Sequence, residues 1–558
     1  MKQFVCVCIV LIGIHSCTYG QKNLDPELQK ISTALYYIDN LYVDSVSSSK
    51  LVEDAIVGVL AKLDPHSTYL SAEELKEADE PLQGNFDGIG VQFNMLTDTL
   101  YIVDVVSGGP SEKVGIRAGD RIIQVNDTLI AGVKMKTNDV MSRLRGPKGT
   151  TVNVKILRKN NPELLNFKII RDKIPFHSLN AYYMLDAETG YIKLDRFAAT
   201  SYDEFKTAVT QLQAQGMKNL IFDLQSNGGG YLEAGIMIAN EFLKQNQLIV
   251  YTEGLHQRRK DDKARFNGTL STGRIIILVD ENTASASEIV SGAVQDWDRG
   301  VIVGRRTFGK GLVQRPVPLP DGSMIRLTTA RYYTPTGRSI QKPYENGKLE
   351  SYYKDIAVRF DRGEMLSADS IHLPDSLKYN TLVSHRTVYG GGGIMPDYFV
   401  PINTDTTGWY YLAAKTSLYR EIYGNGTIYK YITKLIDDNR DNLKKQYPDY
   451  ATLGKTFTVS DKIINELLEL YKKDKAEELK EKSYQLTEEQ QKDLPKAKPL
   501  IQFQVKGYLI RELLGENDYY HYLNDSDVYN DALPKAIEII NNPAEYDKLL
   551  ENNEGSQG

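Results

Sequence analysis

Three short apolar runs, Tyr191 to Leu194, Leu220 to Leu224 and Ile275 to Val279, constrain this chain more than any other feature. Each has the length and composition of a buried strand. Helical periodicity lies between and after them, around Tyr202 to Gln215, Leu232 to Leu243 and Ala286 to Trp297. Strands alternating with helices over about Gly190 to Pro401 predict an α/β core.

The flanking stretches have other textures. From Asp25 to Leu63 two amphipathic helices are expected, one with Leu28, Ile31, Leu35, Ile38 and Leu41 on a stripe, the next with Leu51, Ala55, Ile56, Val59 and Leu60. Asp25-Pro26 suits the start of the first, and Asp64-Pro65 stops the second. Gly84 to Asp172 turns to short β-rich runs (Gly90 to Phe93, Tyr101 to Val106, Asp120 to Val125, Val152 to Leu157, Phe167 to Ile170) around one helix, about Thr137 to Leu144. Beyond about residue 402 the chain is charged, Tyr-rich and helical. There Leu500, Ile501, Phe503 and Val505 admit a strand before the pattern of Tyr508, Leu509 and Leu513.

Charge and cysteine usage narrow the function. The 67 Lys and Arg against 73 Asp and Glu leave a net charge of −6 over 558 residues, with no general attraction for nucleic acid or anionic lipid. Cys6, Cys8 and Cys17 all fall in a segment that reads as an export signal, in which Lys2 precedes an apolar run from Phe4 to Ile14, too short for the roughly 20 residues of a membrane span. Thr18-Tyr19-Gly20 before Gln21 fits a signal-peptidase site, and Ile14-His15-Ser16-Cys17 fits a loose lipobox that would lipidate Cys17. The first is favoured, because histidine is unusual inside a lipobox. Either way at most one cysteine remains, so there is no internal disulfide and no cysteine nucleophile. The expected location is the periplasm or cell envelope. No metal motif and no cofactor is implied.

Three pieces carry chemistry. Thr283-Ala284-Ser285-Ala286-Ser287-Glu288-Ile289 follows a strand and opens a helix, so a serine hydroxyl meets free backbone N–H groups and the positive end of a helix dipole. The same Ser-Ala-Ser-Glu spacing also satisfies a capping box, in which the serine does no more than cap. The histidines offer no recognisable base, but a lysine serves if burial lowers its pKa, and Lys310 in Thr307-Phe308-Gly309-Lys310-Gly311 sits where a glycine-flanked loop aims one side chain inward. A surface lysine in a turn is the plain alternative. Asp223-Leu224-Gln225-Ser226-Asn227-Gly228-Gly229-Gly230 is a strand end running into glycines, able to present N–H groups to an anionic oxygen but lacking the lysine of a phosphate loop.

In this order and spacing the three resemble the carboxyl-terminal processing proteases, or tail-specific proteases. Their signature is Ser-Ala-Ser-Glu-Ile, a lysine 25 residues after the first serine, and a glutamine four residues further, as Ser285, Lys310 and Gln314 stand here. Leu63-Asp64-Pro65-His66-Ser67, Arg331-Tyr332-Tyr333-Thr334-Pro335 and Gly393-Ile394-Met395-Pro396-Asp397 are also family-like, and the resemblance covers about Leu24 to Pro401. It implies an exported serine peptidase with Ser285 as nucleophile, Lys310 as general base, Gln314 orienting the lysine, and oxyanion donors on Ala286 and Gly229. Ser287 is left as a cap or supporting residue. The family commonly has arginine and proline where this chain has Gln225 and Gly228, which puts the bracing of the glycine loop in question.

In that company Gly88-Ile89-Gly90-Val91 fits the carboxylate loop of a PDZ domain, whose N–H groups hold a peptide's terminal carboxylate while the peptide adds a strand. The expected organisation is a signal peptide (1–20), a helical N-terminal region (21–83), a PDZ domain (84–172), a protease core (173–402) and a mostly helical C-terminal region without assigned role (403–558). In fold class this is a multidomain α/β and α+β chain, an α/β serine-protease core with an inserted β-rich domain. Partners are polypeptides with free C-termini, with an adaptor protein, a homo-oligomer and a lipid anchor at Cys17 left open. The alternatives are an inactive peptide-binding scaffold and a tricorn-type Ser-His-Glu hydrolase.

Overall fold

The computed structural model describes residues 26–551 apart from 97, 160, 404–407, 527 and 528, so the signal segment and its cysteines lie outside the described residues. At its centre is a six-stranded sheet. In spatial order its strands are Leu179–Met184, Thr189–Leu194, Asn219–Asp223, Ile275–Val279, Val301–Gly304 and Tyr398–Phe399. The first pair is antiparallel and every later pair is parallel. The three apolar runs are thus neighbouring strands in the middle of the sheet.

Alternation along these strands sends side chains to two faces, and each face has its own cover. Ile192, Phe222, Ile277 and Ile302 point into one core with the helices Ser201–Ala214, Leu232–Phe242 and Ala286–Asp296. Tyr191, Ile221, Ile276, Leu278 and Val303 point into the other, against Leu533, Ala536, Ile539 and Ile540 of the helix Ala532–Asn541 and Tyr546 of the helix Pro543–Leu550. The end of the chain therefore belongs to the core layer. Tyr546 also bonds the backbone of Ile275 through its hydroxyl, at 3.0 Å to both N and O.

A second, antiparallel sheet is built from Thr68–Leu70, Met324–Tyr333, Leu248–Gly254, Gln257–Lys263 and Leu312–Pro318. The β-rich module is an insertion closed at its base, where the entering strand Asn85–Gly88 pairs antiparallel with the leaving strand Asp172–Pro175. Its sheet runs Val91–Leu96, Thr99–Val105, Arg121–Val125, Thr151–Leu157, Leu165–Ile170, with Val91–Leu96 on an open edge.

The helices Trp409–Ala414 to Glu488–Leu514 form a separate cluster around Ile432, Leu467, Tyr471, Leu500, Ile501 and Leu509. The strand admitted at Leu500 to Val505 is overturned: these residues lie inside the 27-residue helix Glu488–Leu514. Buried Ala497, Leu500, Ile501, Val505 and Leu509 recur at three- and four-residue steps, a helical period that outweighs the local β propensity. Asp437 of the helix Thr427–Gln446 touches the inserted module, accepting from Tyr101 Oη and from Arg121 Nη2 at 3.1 Å. The N-terminal helices form at Pro26–Leu41 and Ser48–Leu60, but the first buries none of its residues within this chain. Among the described residues no helix is long and apolar enough to cross a membrane.

Because the final helices close one face of the sheet, Ile539→Ala should lower stability by roughly 2–5 kcal/mol, as truncations of fully buried isoleucines do. Thermal unfolding measures this. A wild-type transition would mean that the C-terminal helices are not part of the core.

Candidate active site

Ser285 stands at the turn between the strand Ile275–Val279 and the helix Ala286–Asp296, with φ 59° and ψ −115°. A non-glycine residue at positive φ is strained, by about 1–3 kcal/mol, and such strain persists only where the surroundings over-determine it. Here they do. Ala284 N–H donates to Asn227 O at 3.0 Å, and Glu288 N–H donates to Ser285 O at 2.9 Å. Ala286 N–H, the first free amide of the helix, has no acceptor among the described residues.

Glu288 is the residue that joins the site. It is fully buried, and its Oε2 accepts the backbone N–H of Ser285 at 2.8 Å and that of Lys310 at 2.9 Å. Its Oε1 accepts Gly309 N–H at 2.8 Å and Thr307 Oγ1 at 2.5 Å. One carboxyl thus ties together the turn carrying the serine and the loop carrying the lysine. Burial pushes its pKa up to about 7, against the pull of the donors from Thr307, Lys310, Ser285 and Gly309. Four donors and no acceptor surround it, an arrangement that suits the ionised carboxylate. The sequence pattern signals this residue as part of a capping box and of the Ser-Ala-Ser-Glu-Ile signature, with no bridging role.

Tyr332, also buried, clasps the same two segments from the other side: its hydroxyl donates to the carbonyl of Lys310 and lies 3.1 Å from that of Ser285. Burial lowers the pKa of Lys310, Glu288 acts against that shift, Arg326 adds to it and Asp64 opposes it. Gln314, on the strand after the lysine loop, donates from Nε2 to Thr328 Oγ1 at 3.3 Å. His66 comes into the same field. Burial and then the lysine charge hold its imidazole down at about 4, and its Nε2 pairs with Tyr352 Oη at 2.8 Å.

The glycine loop is braced without the family's arginine. Ser226 N–H and Oγ donate to the Asp280 carboxylate at 2.9 and 3.0 Å, and Asn227 Nδ2 donates to Leu194 O at 2.9 Å. Gly229 N–H is engaged by Asn227 Oδ1 at 2.9 Å, so in this structure that amide serves its own loop. The glycine is nonetheless required by space: at φ +95° a Cβ there would stand 2.7 Å from Ser285 Cβ. Ser287 is buried and donates to Asn227 O at 3.0 Å, a lacing role.

In the inserted module Gly88 ends the entering strand, Gly90 takes φ 73°, and Val91 begins the open edge strand. The carbonyls are occupied, that of Ile89 by Ser111 N–H at 3.1 Å and Oγ at 2.6 Å, and that of Gly90 by Val106 N–H at 3.0 Å. Among the described residues the amides of Ile89 and Gly90 donate to no protein acceptor. Free amides beside an open strand edge are what a bound peptide end requires.

Comparison with known proteins accounts for most of the chain. Residues 188–347 match the peptidase family S41, residues 88–169 a PDZ domain, and residues 14–74 the N-terminal domain of the activating protease CtpB. Residues 418–515 match a family of unknown function (DUF8443). The chain is 34% identical over 346 residues to a carboxy-terminal-processing protease of Bartonella bacilliformis, covering 61% of this chain and 78% of that one. It is likewise 34% identical over 385 residues to the carboxy-terminal processing protease CtpB of Bacillus subtilis, covering 67% and 77%. A solved photosystem II D1 C-terminal processing protease is 29% identical, with a TM-score of 0.32, over 57% of this chain and 91% of that one. An S41 serine-type peptidase domain carrying an inserted PDZ domain places this chain in the carboxy-terminal processing protease family.

Proposed function

We propose that this exported peptidase cuts polypeptides at or near their C-termini with a Ser285–Lys310 dyad, after the PDZ loop Gly88 to Val91 has captured the free carboxyl end. The single observation that carries the dyad is the shared carboxyl of Glu288, which bonds the backbone N–H of both residues. The N-terminal segment supports export to the periplasm or cell envelope.

Lys310 as a neutral amine takes the Ser285 Oγ proton while Oγ attacks the scissile carbonyl. The oxyanion of the tetrahedral intermediate is received by the free Ala286 N–H, with the glycine loop at Gly229 as second donor once that amide exchanges its Asn227 partner. The lysine then gives the proton to the leaving amine, and water, activated by the same lysine, releases the acyl product. Gln314 holds the amine in place.

Ser285→Ala and Lys310→Ala should each abolish cleavage of a peptide with an apolar free C-terminus and leave peptide binding intact, because nucleophile and base act as one unit. Ser285→Ala at the wild-type rate would remove the nucleophile from this reading. Only the neutral amine accepts a proton, and burial disfavours the ammonium, so activity should rise with pH through a midpoint below the ordinary lysine value of 10.5.

Glu288→Gln tests the bridge. The amide would turn N–H groups toward backbone donors that now face a carboxylate, a loss of roughly 1–3 kcal/mol or about five- to 150-fold in kcat. It also removes the negative charge that favours the ammonium of Lys310, so the pH midpoint should move down. An unchanged midpoint would mean that Glu288 and Lys310 are not electrostatically joined.

Capture of the carboxyl end is tested by amidating the peptide C-terminus, which removes the charge that the Ile89 and Gly90 amides would hold. Cleavage by the wild type should fall sharply. Equal cleavage of acid and amide would show that the PDZ domain does not read carboxyl ends, while the hydrolase assignment would survive.

A further inference from the structure

We propose that Asp64 and Thr328 are positioning residues of the reaction, fixing the Gln314 amide so that its carbonyl oxygen is the end left to hold the Lys310 amine. The inference rests on the Ser285–Lys310 reading above.

Leu63-Asp64-Pro65-His66-Ser67 leads from the helix Ser48–Leu60 into the strand Thr68–Leu70, which pairs with Met324–Tyr333 and sets Thr68 opposite Arg326. That register brings the Asp64 turn beside Thr328. Asp64 is 7% exposed, and its Oδ1 accepts His66 N–H at 2.8 Å, Ser67 N–H at 3.0 Å and Thr328 Oγ1 at 2.9 Å. Its Oδ2 accepts Ser67 Oγ at 2.5 Å, and Ser67 Oγ accepts the Thr328 N–H at 3.1 Å. The N-terminal turn and the strand are thus locked by backbone and side chain alike.

The direction of these bonds is dictated by chemistry. A carboxylate has no proton to offer, so the Thr328 hydroxyl must donate to it. With its single proton committed, Thr328 Oγ1 can receive Gln314 only as an acceptor. The two residues stand opposite each other across the hairpin, next to a bulge at Val313, and the amide end turned to Thr328 is accordingly Nε2, at 3.3 Å. The ends of an amide have nearly the same shape, and only the surrounding hydrogen bonds decide between them. The carbonyl oxygen is the end that remains.

That choice matters for a lysine base. A neutral amine carries two N–H groups and one lone pair. An acceptor beside it engages an N–H and leaves the lone pair free for the serine proton. A flipped amide would offer its own N–H to that lone pair and compete with Ser285.

The test uses the full chain and a peptide with a free apolar C-terminus, reading kcat and KM separately with thermal unfolding as a check on folding. Thr328→Val keeps the shape and removes the hydroxyl, and should lower kcat about tenfold or more with KM within about twofold, the scale of one misdirected hydrogen bond. Thr328→Ser should restore kcat to within about threefold of wild type, which a packing defect would not allow. In a Gln314→Ala background Thr328→Val should cause no further loss, since both act through one amide. Asp64→Asn should reduce kcat in the same way, and if it does not fold, the Thr328 pair decides alone. Wild-type kcat in Thr328→Val, or a loss that multiplies with Gln314→Ala, would overturn the inference. Lys310→Ala separates the two readings: activity there overturns the dyad itself, whereas an inactive Lys310→Ala beside a fully active Thr328→Val overturns only the positioning role of Asp64 and Thr328.

Discussion

The carboxyl group of Glu288 is the point on which the site depends. It lies in the first turn of the helix that follows Ser285, where a negative charge is favoured by the helix N-terminus, and it faces four donors from two segments that are distant in sequence. A buried charge is tolerated only when paired and hydrogen-bonded. The positive φ of Ser285 is held in place by the same bonds, its N–H donating to this carboxylate while its carbonyl accepts the Glu288 N–H and begins the helix. The lysine loop is drawn inward by its own backbone bond to the same carboxylate oxygen, Oε2. Strain at the serine and desolvation at the lysine, which both oppose folding, are thus offset by one shared acceptor.

That acceptor holds its place because the sheet beneath it is rigid. The strand Ile275–Val279 lies between two parallel neighbours and is wholly buried on both faces, so the turn that follows it starts from a fixed direction. Burial on the second face is supplied by helices from the far end of the chain. The Ser285 turn therefore depends on residues about 250 positions away, through packing and through the Tyr546 hydroxyl bonded to the Ile275 backbone.

Much of this was legible in the sequence where the information is local. The apolar runs, the helices between them and the strands of the inserted module all follow from periodicity, and Ser285 and Lys310 became candidates through the family resemblance that their spacing carries. What stayed hidden is tertiary. Glu288 reads as a cap because a capping box and a bridge to the loop at Gly309 and Lys310 share one local pattern. Asp64 and Thr328 are 264 residues apart, and nothing along the chain announces that they meet. The run at Leu500 to Val505 looked extended because Phe503 and Val505 favour strands, whereas the burial of Ala497, Leu500, Ile501 and Leu509 on one side of a helix is visible only once the bundle is assembled.

The PDZ domain is held at two places, and this shapes what capture can accomplish. Its base is zipped by the pairing of Asn85–Gly88 with Asp172–Pro175, and its strands at Tyr101 and Arg121 meet Asp437 of the C-terminal helical cluster. Lys159 adds an ion pair to Asp438 at 2.6 Å, and Gly119 leaves room beside Asp437 that a Cβ would fill at 3.0 Å. A module fixed at one hinge would swing, and a captured tail would then be spread over a large volume. Fixed at two, it would confine a tail to a smaller one, and effective concentration at the proposed dyad would rise as that volume shrinks. The helical cluster is itself joined to the catalytic layer through the helix Glu516–Asn524, where Asn517 Oδ1 accepts the backbone N–H of Tyr182 at 2.8 Å. The PDZ domain and the peptidase core are thereby linked through the chain's C-terminal third as well as through the hinge.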